Sequence, residues 1–483
     1  MLTDQQTVDI ISEQATTSAR ALLQDNTSKP PFTSARVAIP NRQPIALIAY
    51  NGDPAAEAGP GEAGGQNIYV RKVGEALAKL GWQVDMFARK SHPDQEKIVQ
   101  HSPYCRTIHL AAGPECQLSR EELLQYIPQF VEAFKKFQVK AGTNYPLVHS
   151  NYWLSSLVGL RLKQESNIQL VHTYHSIGEL KYRQIADRPP IAETRLTAER
   201  EILERANCVV ATSPGEEETL RSLVSAAGRI RMVPCGTDID NFRQHPKAEA
   251  RAKLGLSQTE RIVLYVGRFD PSKGIDTLVR ACAQSKVRAE GNLRLIIAGG
   301  SDSDPLACQE RNRIQLLVQK LSLTEQTLFA GLIGHDRLPL YYAAADVCVV
   351  PSHYEPFGLV AIEAMACGTP VVASNVGGLK FTVVPEETGL LVEPQDDVAF
   401  AGAIDRILSN DLWAKKASKQ APAQVQHHFT WTSAAAELSD LYRRLLAESL
   451  MGALLSPLPS PASPSSYFGE ALSDAGVSLG QAS

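Results

Sequence analysis

The chain has 483 residues, 44% of them apolar and 21% charged, and a formal net charge of −4. This length exceeds one ordinary hydrophobic core, so two domains of about 200 residues each, flanked by tails, are expected. The near-neutral balance gives no footprint for nucleic acid or an anionic membrane as main partner, and any anion must be met by a local cluster of charge.

Residues 1–43 read as a polar tail, with "SKPPFTSARVAIPNRQP" as a linker and no basic start or apolar run of a secretory signal. The pattern that follows alternates short apolar runs with amphipathic stretches. "PIALIAY" is a buried strand, "GGQNIYVRKVGEALAKLG" a helix ending at Gly81, and "WQVDMFAR" the next strand. "YPLVHSNYW", "IQLVHTYHS", "ANCVVATSP" and "RIRMVPCG" continue the series. It restarts with "RIVLYVGRFD", "LRLIIAGG", "QTLFAGLI", "ADVCVVPS" and "TPVVASNVGG". Unbroken apolar strands between helices imply α/β architecture, with parallel sheets covered on both faces. In such sheets the ligand crevice lies beyond the C-terminal ends of the strands. The expected divisions are a first Rossmann-like domain over 44–240, a second over 241–424, a helical segment over 425–451 and a Ser/Pro-rich, disordered tail over 452–483. No apolar stretch approaches the ~18 residues that span a bilayer. Eight scattered cysteines, without CxxC or zinc spacing, read as reduced thiols and favour the cytoplasm.

The informative residues follow the strands. After "RIVLYV", the loop "GRFDPSKG" carries Arg268 and Lys273, two cations that can clamp a diphosphate without a metal. A solvated surface pair is the plain alternative. In "EPFGLVAIEA" a helix begins near Gly358, so the amides of Phe357, Gly358 and Leu359 offer an anion site. Glu355 precedes that helix and Glu363 lies inside it, roughly 10 Å further along at about 1.5 Å per residue. Such a spacing matches a nucleotide sugar laid across the helix end. The alternative is a capping acid and a buried acid paired with a local cation. Gly64, Gly65 and Gln66 open a helix after the first strand, where backbone approaches phosphate or sugar oxygens closely; a flexible loop is the alternative.

Together, "GRFDPSKG" and "EPFGLVAIEA" resemble the donor site of family 4 of the retaining glycosyltransferases, which have the GT-B fold of two Rossmann-like domains facing across a cleft. The resemblance covers about residues 44–450. It implies a nucleoside-diphosphate-sugar donor on the second domain, with Arg268 and Lys273 on the diphosphate, Glu355 on sugar hydroxyls and Glu363 on ribose hydroxyls. It implies an acceptor on the first domain, and a His175 that hydrogen-bonds the transferred sugar. "AGGQNIYVRKVGEALAKLGWQVDMFARK", "HSNYWLSS" and "HTYHSIGELKY" are similar to bacterial sucrose-phosphate synthases and to enzymes that glycosylate inositol phosphate. Both relatives take a phosphorylated acceptor, which implies Arg120, Tyr152 and Arg195 as its phosphate contacts and Gly64 and Gln66 as contacts to its sugar. For the two arginines the plain alternative is i,i+4 pairing on a helix. The expected donor is UDP-glucose, the expected acceptor fructose 6-phosphate, and no cofactor is required. Mg²⁺ is possible but not implied, because the "DID" and "DSD" triplets at 238–240 and 302–304 stand in loops and two cations are already present.

Overall fold

The computed structural model describes residues 42–56, 65–183, 187–300 and 305–455. The loop carrying Gly64, the "DSD" triplet and nearly all of both tails therefore lie outside the described residues.

The first half holds an eight-stranded sheet of β1 (Gln43–Ile48), β2 (Trp82–Arg89), β3 (Ile98–Ser102), β4 (Cys105–Leu110), β5 (Leu147–Asn151), β6 (Gln169–Thr173), β7 (Cys208–Ala211) and β8 (Ile230–Met232), in the order β3-β4-β2-β1-β5-β6-β7-β8. Every pairing is parallel except the edge strand β3, which runs antiparallel to β4. The second half holds a six-stranded parallel sheet of β9 (Arg261–Val266), β10 (Leu293–Ala298), β11 (Thr327–Gly331), β12 (Val347–Val350), β13 (Val371–Ser374) and β14 (Gly389–Val392), in the order β11-β10-β9-β12-β13-β14. The central strands are apolar on both faces because helices cover both, and Ile45, Leu47, Val263, Leu264 and Cys348 are buried.

Strand order reverses direction at β1, between β2 and β5, and at β9, between β10 and β12. At such switch points neighbouring loops part and leave a crevice at the strands' C-terminal ends. The residues singled out from the sequence follow these strands: Gln66 after β1, Tyr152 after β5, Arg268 and Lys273 after β9, and Glu355 after β12.

The helices that build the crevice are α1 (Gly65–Lys79), α2 (Arg120–Leu124), α3 (Gly178–Tyr182), α4 (Ile191–Arg205), α5 (Pro214–Thr219), α6 (Leu338–Ala344) and α7 (Leu359–Ala366). Two more close the chain, α8 (Asp411–His428) and α9 (Trp431–Leu455). The helical segment expected over 425–451 starts within α8, turns at Phe429 and Thr430 and continues as α9. There the chain crosses back beside its first crossing, and the Thr237 amide donates to the Phe429 carbonyl at 2.9 Å. Helix α9 then packs on the first half. Trp82 Nε1 donates to Ser439 Oγ at 2.9 Å, and the Tyr442 hydroxyl lies 2.6 Å from His149 Nδ1. The expected "DID" triplet sits at the crossing, where Asp238 pairs with Lys72 at 2.9 Å and accepts from the Asn241 amide. Among the described residues no disulfide links the eight cysteines, and no helix is long and apolar enough to cross a membrane.

Candidate active site

The loop after β9 is fixed by its own contacts. Asp270 accepts from the Ser272 amide at 2.9 Å and caps a single turn over Pro271–Lys273. Gly274 then takes φ 65°, and a Cβ there would lie 2.1 Å from the Pro351 carbonyl oxygen. Only glycine allows that approach, which brings the β9 and β12 loops together. The His353 amide joins them, donating to the Ser272 carbonyl at 2.8 Å. Lys273 Nζ consequently stands 2.6 Å from Glu355 Oε2, with both side chains about one-fifth exposed. Arg268 is 77% exposed, and its nearest acid is Asp270 at 4.0 Å. One cation is thus held by its neighbour and the other is extended toward solvent.

Helix α7 begins after Gly358, whose φ of 97° and close approach to Leu379 exclude a side chain. The amides of Phe357, Gly358 and Leu359 donate to no protein group among the described residues, as the first turn of a helix requires. The Phe357 ring is buried against Phe429, so only its backbone can meet a ligand. Among the described residues no Lys or Arg pairs with Glu363; the Tyr342 hydroxyl donates to its Oε2 at 2.9 Å. Burial pushes this carboxyl up to about 7, with the Tyr342 bond pulling the other way.

Across the crevice stands the start of α1. A Cβ built on Gly65 would lie 3.5 Å from Leu359 Cδ1, so the first turns of α1 and α7 face each other. Gln66 Nε2 donates to the Asn151 carbonyl at 3.3 Å, and Asn151 Oδ1 lies 2.9 Å from His175 Nε2. The Asn151 amide nitrogen already donates to the His149 carbonyl, so its Oδ1 accepts and His175 carries its proton on Nε2. Nδ1 is left as an acceptor. Burial drives the His175 pKa down to about 3, which keeps the ring neutral. The ring is half-buried, edge-on to Tyr69 at 4.9 Å, and sits at φ 60°. A neutral acceptor at the end of β6 suits a sugar hydroxyl.

The three groups expected at a phosphate separate into different environments. Arg120 is exposed at the start of α2, where Ser119 and Glu122 form a capping box. Lys181, on α3, has its pKa lowered by surrounding protein atoms and then by the positive charges of Arg120, Arg195 and Arg268. Cations from both halves therefore converge on one region. Arg195 is different. It is 1% exposed, its Nε donates to Glu199 Oε1 at 2.6 Å, and its Nη2 donates to the Ser176 carbonyl and hydroxyl. The i,i+4 pair weighed from the sequence is present, but inside the protein rather than on a helix surface. Its burial and these bonds through Nε and Nη2 speak against the expected direct phosphate contact, and the guanidinium carries the Tyr152 ring at 5.3 Å. Tyr152 is itself 7% exposed, at φ 74°.

A cavity of about 220 Å³ is lined by Tyr50, Asn51, Asp53, Asn67, Arg89 and Leu123 among others. Asn51 Oδ1 is buried there without a partner among the described residues. A wider hollow of about 670 Å³ along α4, bounded by Glu179, Arg188, Arg200 and Glu204, holds none of the expected site residues. Asn51, Asn151, Lys181 and Tyr342 were not singled out from the sequence. Position after β1 and β5 could have flagged the two asparagines; Tyr342 has no local signal.

Residues 246–424 match the family model "Glycosyl transferases group 1", and residues 64–236 match "Glycosyl transferase 4-like domain". The chain is 53% identical to sucrose-phosphate synthase from Thermosynechococcus elongatus, a solved structure that superposes with a TM-score of 0.78 over 84% of this chain and 100% of that one. It is 34% identical over 409 residues to D-inositol 3-phosphate glycosyltransferase of Corynebacterium jeikeium, covering 83% of this chain and 96% of the relative. It is 36% identical over 410 residues to the protein of that name from Acidothermus cellulolyticus, covering 84% and 91%. The chain belongs to family 4 of the retaining glycosyltransferases and has the GT-B fold.

Proposed function

We propose that the protein transfers glucose from UDP-glucose to fructose 6-phosphate, giving sucrose 6-phosphate and UDP. In this reading the diphosphate lies between Arg268, Lys273 and the first amides of α7, with the ribose hydroxyls on Glu363. Glu355 and His175 Nδ1 accept from hydroxyls of the transferred sugar, and Gly65 approaches the donor from the first half. The two cations and the helix end neutralise the departing UDP, so no metal is needed. Facing helix starts exclude water and hold the acceptor hydroxyl near the anomeric carbon. Transfer on the donor's own face is proposed, with the leaving phosphate taking the acceptor's proton.

Arg120 and Lys181 are the cations proposed to meet the acceptor phosphate, while Gln66, Tyr152 and the cavity beside Asn51 shape the rest of that site, together with Gly64. The observation that carries the choice of acceptor is the 53% identity to a sucrose-phosphate synthase over 84% of the chain. A second reading, transfer to inositol phosphate, is supported by curated relatives of that name at 34–36% identity.

One competition assay separates them. The protein is given equal fructose 6-phosphate and D-inositol 3-phosphate, with UDP-, ADP- or GDP-glucose in turn, and the products are identified by mass. Sucrose 6-phosphate formed fastest from UDP-glucose is expected; a glycosylated inositol phosphate as main product contradicts the reading. Within it, Arg120→Ala should raise the KM for fructose 6-phosphate about tenfold or more, the scale of a hydrogen bond to a charged group. The weak use of free fructose should change little. Equal losses on both acceptors would remove the phosphate contact.

A further inference from the structure

Glu363 is the fifth residue of α7, and a carboxylate at that depth is free to rotate unless something holds it. The Tyr342 hydroxyl does so from α6, at 2.9 Å from Oε2. Tyr342 is itself fully buried and fixed. Its ring packs edge-on to Phe242 at 5.9 Å, and Phe242 packs on His335 at 4.7 Å. Its carbonyl accepts from Thr369 Oγ1 at 2.6 Å. No other described group hydrogen-bonds the Glu363 carboxylate.

We propose that Tyr342 is the positioning residue for ribose recognition: by holding Oε2 it fixes the Glu363 carboxylate so that the vicinal hydroxyls of the donor's ribose meet an acceptor of set orientation. The inference rests on the placement of the nucleotide at α7 given above. It adds that discrimination between a ribose and a deoxyribose is set one residue behind the contact, in α6.

The bond also bears on charge. Burial raises the Glu363 carboxyl toward neutrality, and the Tyr342 hydroxyl stabilises the ionised form. The other titratable groups facing it are Cys348 on β12 and Cys367 after α7, whose thiols burial pushes far up, so both stay neutral. An ionised Glu363 accepts two hydroxyl hydrogen bonds and a protonated one accepts fewer. Preference for ribose therefore strengthens as pH rises through the Glu363 pKa. Without the Tyr342 hydroxyl that pKa rises further, and the strengthening moves to higher pH.

The test is calorimetric binding of UDP and of 2′-deoxy-UDP between pH 6 and 8.5 to wild type, Tyr342→Phe, Glu363→Gln and the double variant. Taking the ratio of the two affinities cancels titration of the phosphates. Tyr342→Phe keeps the ring and its contact with Phe242. Expected are a wild-type preference for UDP of about tenfold, a several-fold smaller preference in Tyr342→Phe at pH 7, and a shift of its pH dependence upward. In the Glu363→Gln background Tyr342→Phe should change nothing further, because the tyrosine acts through the acid. An unchanged ratio and pH profile in Tyr342→Phe, or equal effects with and without Glu363, overturns the inference while leaving the nucleotide placement intact. A wild type that binds both ligands equally overturns that placement, and the inference with it.

Discussion

Lys273→Ala should lower turnover by about 10²–10³, the usual loss when one group stabilising a developing negative charge is removed. The effect is double. In the proposed reading Lys273 supplies one of the two cations on the departing diphosphate, and in the structure it is also the partner of Glu355 at 2.6 Å. Without it, Glu355 keeps only the long contact from Ser352 Oγ at 3.4 Å and stands as an unneutralised acid beside an anionic donor. The loop itself should survive, because Asp270, Gly274 and His353 fix it through backbone contacts that do not involve the lysine side chain. Steady-state kinetics should show the loss in kcat, with the acceptor KM little changed. A variant that only raised the acceptor KM would remove Lys273 from the donor site.

Arg195→Ala is expected to act on stability before it acts on the acceptor. Its partner Glu199 is buried and also accepts from the Gly178 amide at 2.7 Å. Breaking a buried pair by removing one member costs about 3–5 kcal/mol, since the other charge is left unpaired. Burial already holds the Glu199 carboxyl above its ordinary value, against the pull of Arg195; without the arginine it rises further. A folded-state pKa above the unfolded one means stability is lost as pH rises from the unfolded value toward the folded one. The destabilisation should therefore be larger at pH 8 than at pH 5, as read by chemical denaturation at both. Glu199 also orders Gly178 and Ser176 follows His175 directly, so activity should fall with the fold. A variant of unchanged stability and raised acceptor KM would return Arg195 to the role of a phosphate contact.

These two residues differ in what the sequence alone exposes. Lys273 was legible because "RIVLYV" ends in a glycine-flanked loop, and parallel-sheet physics puts ligands beyond strand ends. For Arg195 the i,i+4 acid was visible in "ETRLTAER", but burial was not, since it depends on Tyr152 and Tyr182 closing over the guanidinium from elsewhere in the chain. The strands rich in Val, Ile and Leu were found for the same reason that they are buried on both faces. β3, β4 and β14 were not. In β4 the polar residues Arg106, Thr107 and His109 break the apolar run, and each finds its partner far off or across the sheet: Asp85, His101 and Asp53. The Tyr342–Glu363 bond was hidden likewise, joining helices on either side of a strand.

The proposed function requires a pyrophosphate seated between the β9 loop and the start of α7. A crystal structure of the protein with UDP bound measures this directly. Oxygens of both phosphates should lie within hydrogen-bonding reach of Arg268, Lys273 and the amides at Gly358 and Leu359; phosphates resting elsewhere, with these groups untouched, would contradict it.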